Sequence, residues 1–78
     1  MDYPRYFIEI DRESRRITSV DVITYSADLE AGITPTSPDP QRELIEVDVS
    51  EIKKAPSLEH LVDFYSLDGD NRVALTND

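Results

Sequence analysis

From Tyr6 to Asp11 the apolar residues Tyr6, Ile8 and Ile10 alternate with Phe7, Glu9 and Asp11. That two-residue period marks a half-buried β-strand with one face packed and the other wet. The run "RITSVDVITY" is β-branched almost throughout, with Thr18, Val20, Val22 and Thr24 on one side and Ile17, Ser19, Asp21, Ile23 and Tyr25 on the other. The short polar "DRESR" between the two runs makes them a hairpin. Its turn holds no glycine, so a left-handed position there falls to Ser14, Arg15 or Arg16 at a steric cost.

The alternation returns in "ELIEVDV", with Ile45, Val47 and Val49 opposite Leu44, Glu46 and Asp48. "SEIKK" then suits a single turn started by Ser50. "PSLEHLVDFY" suits a short helix with Ser57 as N-cap, Glu59 at its positive end, and Leu58, Leu61 and Val62 on one stripe. "FYSLDGDNRVAL" reads as a second hairpin turning at Asp68, Gly69, Asp70 and Asn71. The stretch 26–41, "SADLEAGITPTSPDPQ", holds three of the five prolines, which rules out a through-running helix or central strand. One helical turn ending at Gly32 fits "ADLEAG", and the rest is a loop or linker. The pattern predicts an α+β fold: a small, mainly antiparallel sheet of about five strands, one short helix and a Pro-rich loop at 26–41, in a single domain spanning 1–78.

Composition supports folding. Leu, Ile, Val and Phe make up 21 of 78 residues, above the roughly 20% floor below which a charged chain stays disordered. There is no cysteine, so disulfides and thiolate metal sites are ruled out and an intracellular, cytoplasmic setting is the default. No apolar run reaches the length of a membrane span or a signal core. The net charge of −9 is spread along the whole chain. Such a field repels nucleic acid and anionic membranes, so direct binding to either is not expected, and a partner with a basic surface is favoured.

The near repeat "IEID" at 8–11 and "IEVD" at 45–48 raises the question of a carboxylate site. Strand periodicity assigns Ile8, Ile10, Ile45 and Val47 to the core and points Glu9, Asp11, Glu46 and Asp48 to one outer face. Four acids on one face need cations near them, and Arg5, Arg16 and Arg42 are available. The turn "DGDNR" copies the first two ligand positions of a calcium loop and then departs from it, with Arg72 and Val73 where a ligand and glycine belong. His60, the one histidine, sits beside acids with no thiol to activate, and the two glycines are too far apart for a phosphate loop. No catalytic residue, cofactor or metal ion is therefore expected. What remains is binding: the acidic face of Glu9, Asp11, Glu46 and Asp48, the aromatic residues Phe7 and Tyr25, and the unpaired edge of a small sheet, open to strand addition or self-pairing.

The order of elements resembles small proteins carried in bacteriophage and prophage tail regions. The shared features are an opening hairpin, here "YFIEIDRESRRITSV", a middle strand running into a helix, here "LIEVDVSEI", and a closing hairpin, here "FYSLDGDNRVAL". Arg15 stands where such hairpins prefer glycine, and "DGDNRV" is longer than their usual closing turn. The resemblance implies a non-catalytic accessory or structural piece, in a virion or in the host cytoplasm, and carries over no catalytic residue. The expected function is thus a protein–protein interaction module, with self-association as a further state. The alternative is an acidic mimic of nucleic acid that inhibits a host defence or transcription protein.

Overall fold

The computed structural model describes residues 3–76; Met1, Asp2, Asn77 and Asp78 lie outside the described residues. The alternating runs become β1 (Arg5–Asp11), β2 (Ile17–Ile23) and β3 (Arg42–Val47), which form a three-stranded antiparallel sheet in the order β2-β1-β3. The closing hairpin is β4 (Tyr65–Leu67) and β5 (Val73–Leu75), a separate two-stranded sheet. An Arg16–Ser66 bridge and a bond from the Leu67 N–H to the Arg15 carbonyl join it to the start of β2. The expected α+β class with five strands is observed. The strands divide three and two, and there are three short helices where one was expected: α1 (Ala27–Glu30), α2 (Val49–Ile52) and α3 (Leu58–Phe64).

Each helix starts where a side chain relieves its free N–H groups. Ser26 caps α1 and Ser57 caps α3, whereas α2 is capped by Asp48 rather than started by Ser50. α1 stops at Gly32 (φ +82), with the Gly32 N–H bonded to the Leu29 carbonyl and the Ile33 N–H to the Asp28 carbonyl. That bond pair is a Schellman closure, and its left-handed residue is the one place in the loop that needs glycine.

The main core lies between one face of the sheet and the C-terminal half. Ile8, Ile10, Ile17 and Val47 meet Ala55, Leu61, Leu67 and Val73, with Tyr6, Val20, Ile45, Ile52, Val62 and Tyr65 packed around them. Strict alternation along β2 sets Ile17 opposite Val20, but both belong to this core. The reason is a bulge: Ile10 pairs with Ile17 and Glu9 with Ser19, so Thr18 is the extra residue and shifts the phase. The Thr18 hydroxyl closes the bulge by donating to the Glu9 carbonyl (3.1 Å) and carboxylate (2.9 Å).

The opposite face is covered as well. Phe7 and Leu29 are buried outside the main cluster, with the Arg5 guanidinium over the Phe7 ring. The stretch 26–41 is held against this face at several points. Ser37 donates to Glu9 (2.7 Å), Tyr3 to the Ser26 carbonyl (3.3 Å), and Arg12 to the Pro40 and Gln41 carbonyls. Beyond α1 it has no regular structure, yet it acts as a strap across the sheet.

Arg15 fills the left-handed position of the first turn (φ +62). Its guanidinium donates to the carbonyls of Leu67 (3.1 Å) and Asp68 (2.9 Å) and to Asn71 Oδ1 (2.7 Å), tying one hairpin turn to the other. Arg15→Ala keeps the strained backbone and loses three hydrogen bonds, an expected cost of about 2 kcal/mol at roughly 0.5–1.5 kcal/mol each. Arg15→Gly loses the same bonds and recovers about 1 kcal/mol of the left-handed penalty. Urea midpoints of the two variants check this, and equal midpoints would refute the strain.

Candidate functional site

The four acids of the near repeat do not form a free carboxylate face. Glu9, whose side chain is 14% exposed, accepts from Thr18, Ser19, Ser37 and Arg42. The Ser37 and Thr18 hydroxyls, ahead of Arg42, hold its carboxyl below the ordinary glutamate range. Asp11 accepts from the Ser14 and Glu13 N–H groups of the turn, which lower its pKa. Glu46 is paired with Arg5, which lowers its pKa. Asp48 caps α2, and the Ser50 N–H lowers its pKa. These carboxylates are structural fasteners, and the cations expected beside them are found for two of the pairs: Arg5 with Glu46 and Arg42 with Glu9. Arg16 instead donates to the Asp63 carbonyl (3.4 Å).

The aromatic pair separates. Alternation makes Phe7 a contact residue on the wet face, but it is fully buried, because the strap covers the side of β1 that alternation leaves to solvent. It is therefore a core residue. Tyr25 lies just past β2, 69% exposed, with its ring 6.0 Å from that of Tyr3.

A different surface gathers the unengaged groups. β4 bridges at Ser66 to Arg16, just before β2, and the chain preceding β4 is α3. Between β2 and α3 lies a groove of ≈ 360 Å³ lined by Thr18, Ser19, Val20, Leu58, Glu59, Val62 and Asp63. Its volume is at the small end of the ligand-sized range of roughly 300–1,000 Å³. Val20, Leu58 and Val62 give it an apolar lining, and Leu58 is 48% exposed. Among the described residues no cation lies within ion-pair distance of the Glu59, Asp63 or Asp21 carboxylates. Unlike the acids of the near repeat, these three are free to meet a partner.

Beside the groove the edge of β2 is open. From Ser19 to Ile23 it pairs with β1 on one side, and among the described residues no strand faces it on the other. The far edge of the sheet, β3, is flanked by the pairs Arg42–Glu9, Arg12–Glu43 and Arg5–Glu46. Charges along an edge discourage strand addition, and the free stretch of β2 carries just one, Asp21.

Other places are less suited to binding. A second groove of ≈ 330 Å³, around Arg5, Tyr6 and Val49, is walled by the engaged Glu46 and Asp48. Among the described residues no group of three or more His, Asp or Glu side chains is placed to hold a metal ion, and no helix is long and apolar enough to cross a membrane. The α3 stripes were legible in sequence, since Leu58 and Val62, and Glu59 and Asp63, are each four residues apart. Their neighbour was not, because the bulge at Thr18 and the Arg16–Ser66 bridge decide what faces α3. No protein-family model matches this chain, and neither a curated protein nor a solved structure was found to match it.

Proposed function

We propose that this chain is a non-catalytic protein–protein interaction module that docks through the groove between β2 and α3. The observation that carries the reading is the strand edge left open from Ser19 to Ile23 beside an apolar groove. An exposed edge offers a row of unpaired N–H and C=O groups, and a neighbouring pocket for side chains turns that general affinity into selectivity. The likeness of the two hairpins to phage tail-region proteins supports the same reading, a small accessory piece. The acidic-mimic alternative takes its motive from the net charge of −9 together with the two acidic strands, and of these the oxygens of Glu9, Asp11, Glu46 and Asp48 are engaged within the fold.

The test is affinity capture with the intact chain beside two surface variants. Val22 and Leu58 are 46% and 48% exposed, so Val22→Asp and Leu58→Asp are expected to fold as the parent does. The parent is expected to retain a stoichiometric protein that both variants lose, with at least about a tenfold fall in affinity for an interface anchor. Capture that both variants leave unchanged would overturn the groove as the docking surface.

A further inference from the structure

We infer that the occupant of the β2–α3 groove is an extended segment of a partner protein in which apolar residues alternate with lysine or arginine, added to β2 as a fourth strand; the inference rests on the docking reading above. A strand laid along Ser19 to Ile23 points successive side chains to opposite faces of the sheet. Those on the α3 side face the apolar lining of Val20, Leu58 and Val62. Glu59 and Asp63 line the same groove. Those on the other side pass Asp21, which is exposed and whose cross-strand partner Phe7 lies on the outer face. Apolar side chains inward therefore match the groove and basic ones outward meet Asp21, while the Glu59 and Asp63 carboxylates beside the groove add to the field that draws a basic segment in.

Charge selects among the other extended occupants. A segment rich in Asp or Glu approaches a chain of net charge −9 against a field that reaches about 8 Å at physiological salt. A second copy meets the same obstacle in sharper form. Pairing β2 with its own twin gathers two sets of Asp21, Glu59 and Asp63 at one interface, with no cation paired to them in either copy. A basic segment converts these three carboxylates from a cost into a means of steering and selection.

The probe is an acetylated and amidated peptide, Lys-Val-Lys-Val-Lys-Val-Lys, titrated into the isotope-labelled full chain and followed by amide chemical shifts. Shifts are expected along Ser19 to Ile23 and Leu58 to Asp63. N-methylating alternate peptide amides, or replacing every lysine by glutamate, is expected to weaken binding by about tenfold or more. The double variant Glu59→Gln/Asp63→Asn is expected to weaken it by roughly fivefold. Shifts spread over the acidic surface and indifferent to N-methylation would reduce the effect to charge attraction and overturn the inference. No peptide binding, together with a dimer by light scattering that Val22→Arg dissociates, makes the occupant a second copy; the inference then fails while the docking reading stands. A chain that binds no peptide, stays monomeric and loses no captured protein on Leu58→Asp fails both.

Discussion

Replacing Phe7 by alanine is expected to lower the stability of the fold by about 3–5 kcal/mol, the cost of emptying a buried aromatic site. A chain of 78 residues has a total of roughly 4–12 kcal/mol, so the variant retains little margin. Each kcal/mol moves the melting temperature of so small a domain by roughly 4–8 °C, which puts the expected fall at about 15–30 °C. The physical reason is the strap. Phe7 points away from Ile8 and Ile10 yet has no exposed surface, so its ring must be enclosed from the side of 26–41. Circular-dichroism melts of Phe7→Ala and Phe7→Leu check this, the leucine variant losing less because it refills part of the space. A surface phenylalanine would shift stability by no more than about 0.5 kcal/mol, and that outcome would remove the strap from the account.

What could be read from sequence follows the range of the interaction concerned. Local signals held: period-2 runs became β1, β2 and β3, Ser57 capped α3, and the closing hairpin formed around Asp68 to Asn71. The missing glycine of the first turn was met by Arg15, one of three residues open to that position. Errors arose where a second segment changed the meaning of a face. Alternation marks Phe7 as wet because it knows nothing of Ser37 bonded to Glu9 of β1 and Pro40 to Arg12 beyond it, and it sets Ile17 apart from Val20 because a bulge adds one residue without altering composition. The same limit applied to the candidate site. Acids in a strand pattern suggested a surface, whereas turn N–H groups, a helix start and two arginines had already taken them up. Free carboxylates sit where no repeat advertised them, on α3 and at Asp21.

Acidification is expected to unfold the protein through those fastened carboxylates. Glu9, Asp11, Glu46, Asp48, Glu51 and Asp68 all have pKa values held below the ordinary 4.5 of glutamate and 3.8 of aspartate. The causes are hydroxyl donors for Glu9, arginine for Glu46, lysine for Glu51 and backbone N–H groups for the aspartates. In that window the unfolded chain binds more protons than the native one, so stability rises with pH and is lost as pH falls through the native values. Discharging the net −9 acts in the opposite sense by relieving repulsion. That long-range effect is suppressed in about 0.5 M salt, where charges are screened within roughly 4 Å. Under those conditions the melting temperature is expected to fall steadily from about pH 6 to about pH 3. Glu9 isolates one contribution, since its carboxylate takes both the Ser37 hydroxyl of the strap and the Arg42 guanidinium of β3. Glu9→Gln has nothing to titrate there, so its melt should start lower at neutral pH, fall less on acidification and meet the parent curve at the acid end. Parallel curves would mean that the Glu9 charge contributes nothing to holding 26–41 in place. The strap, and with it the burial of Phe7, would then rest on apolar packing and on the bonds from Tyr3 and Arg12.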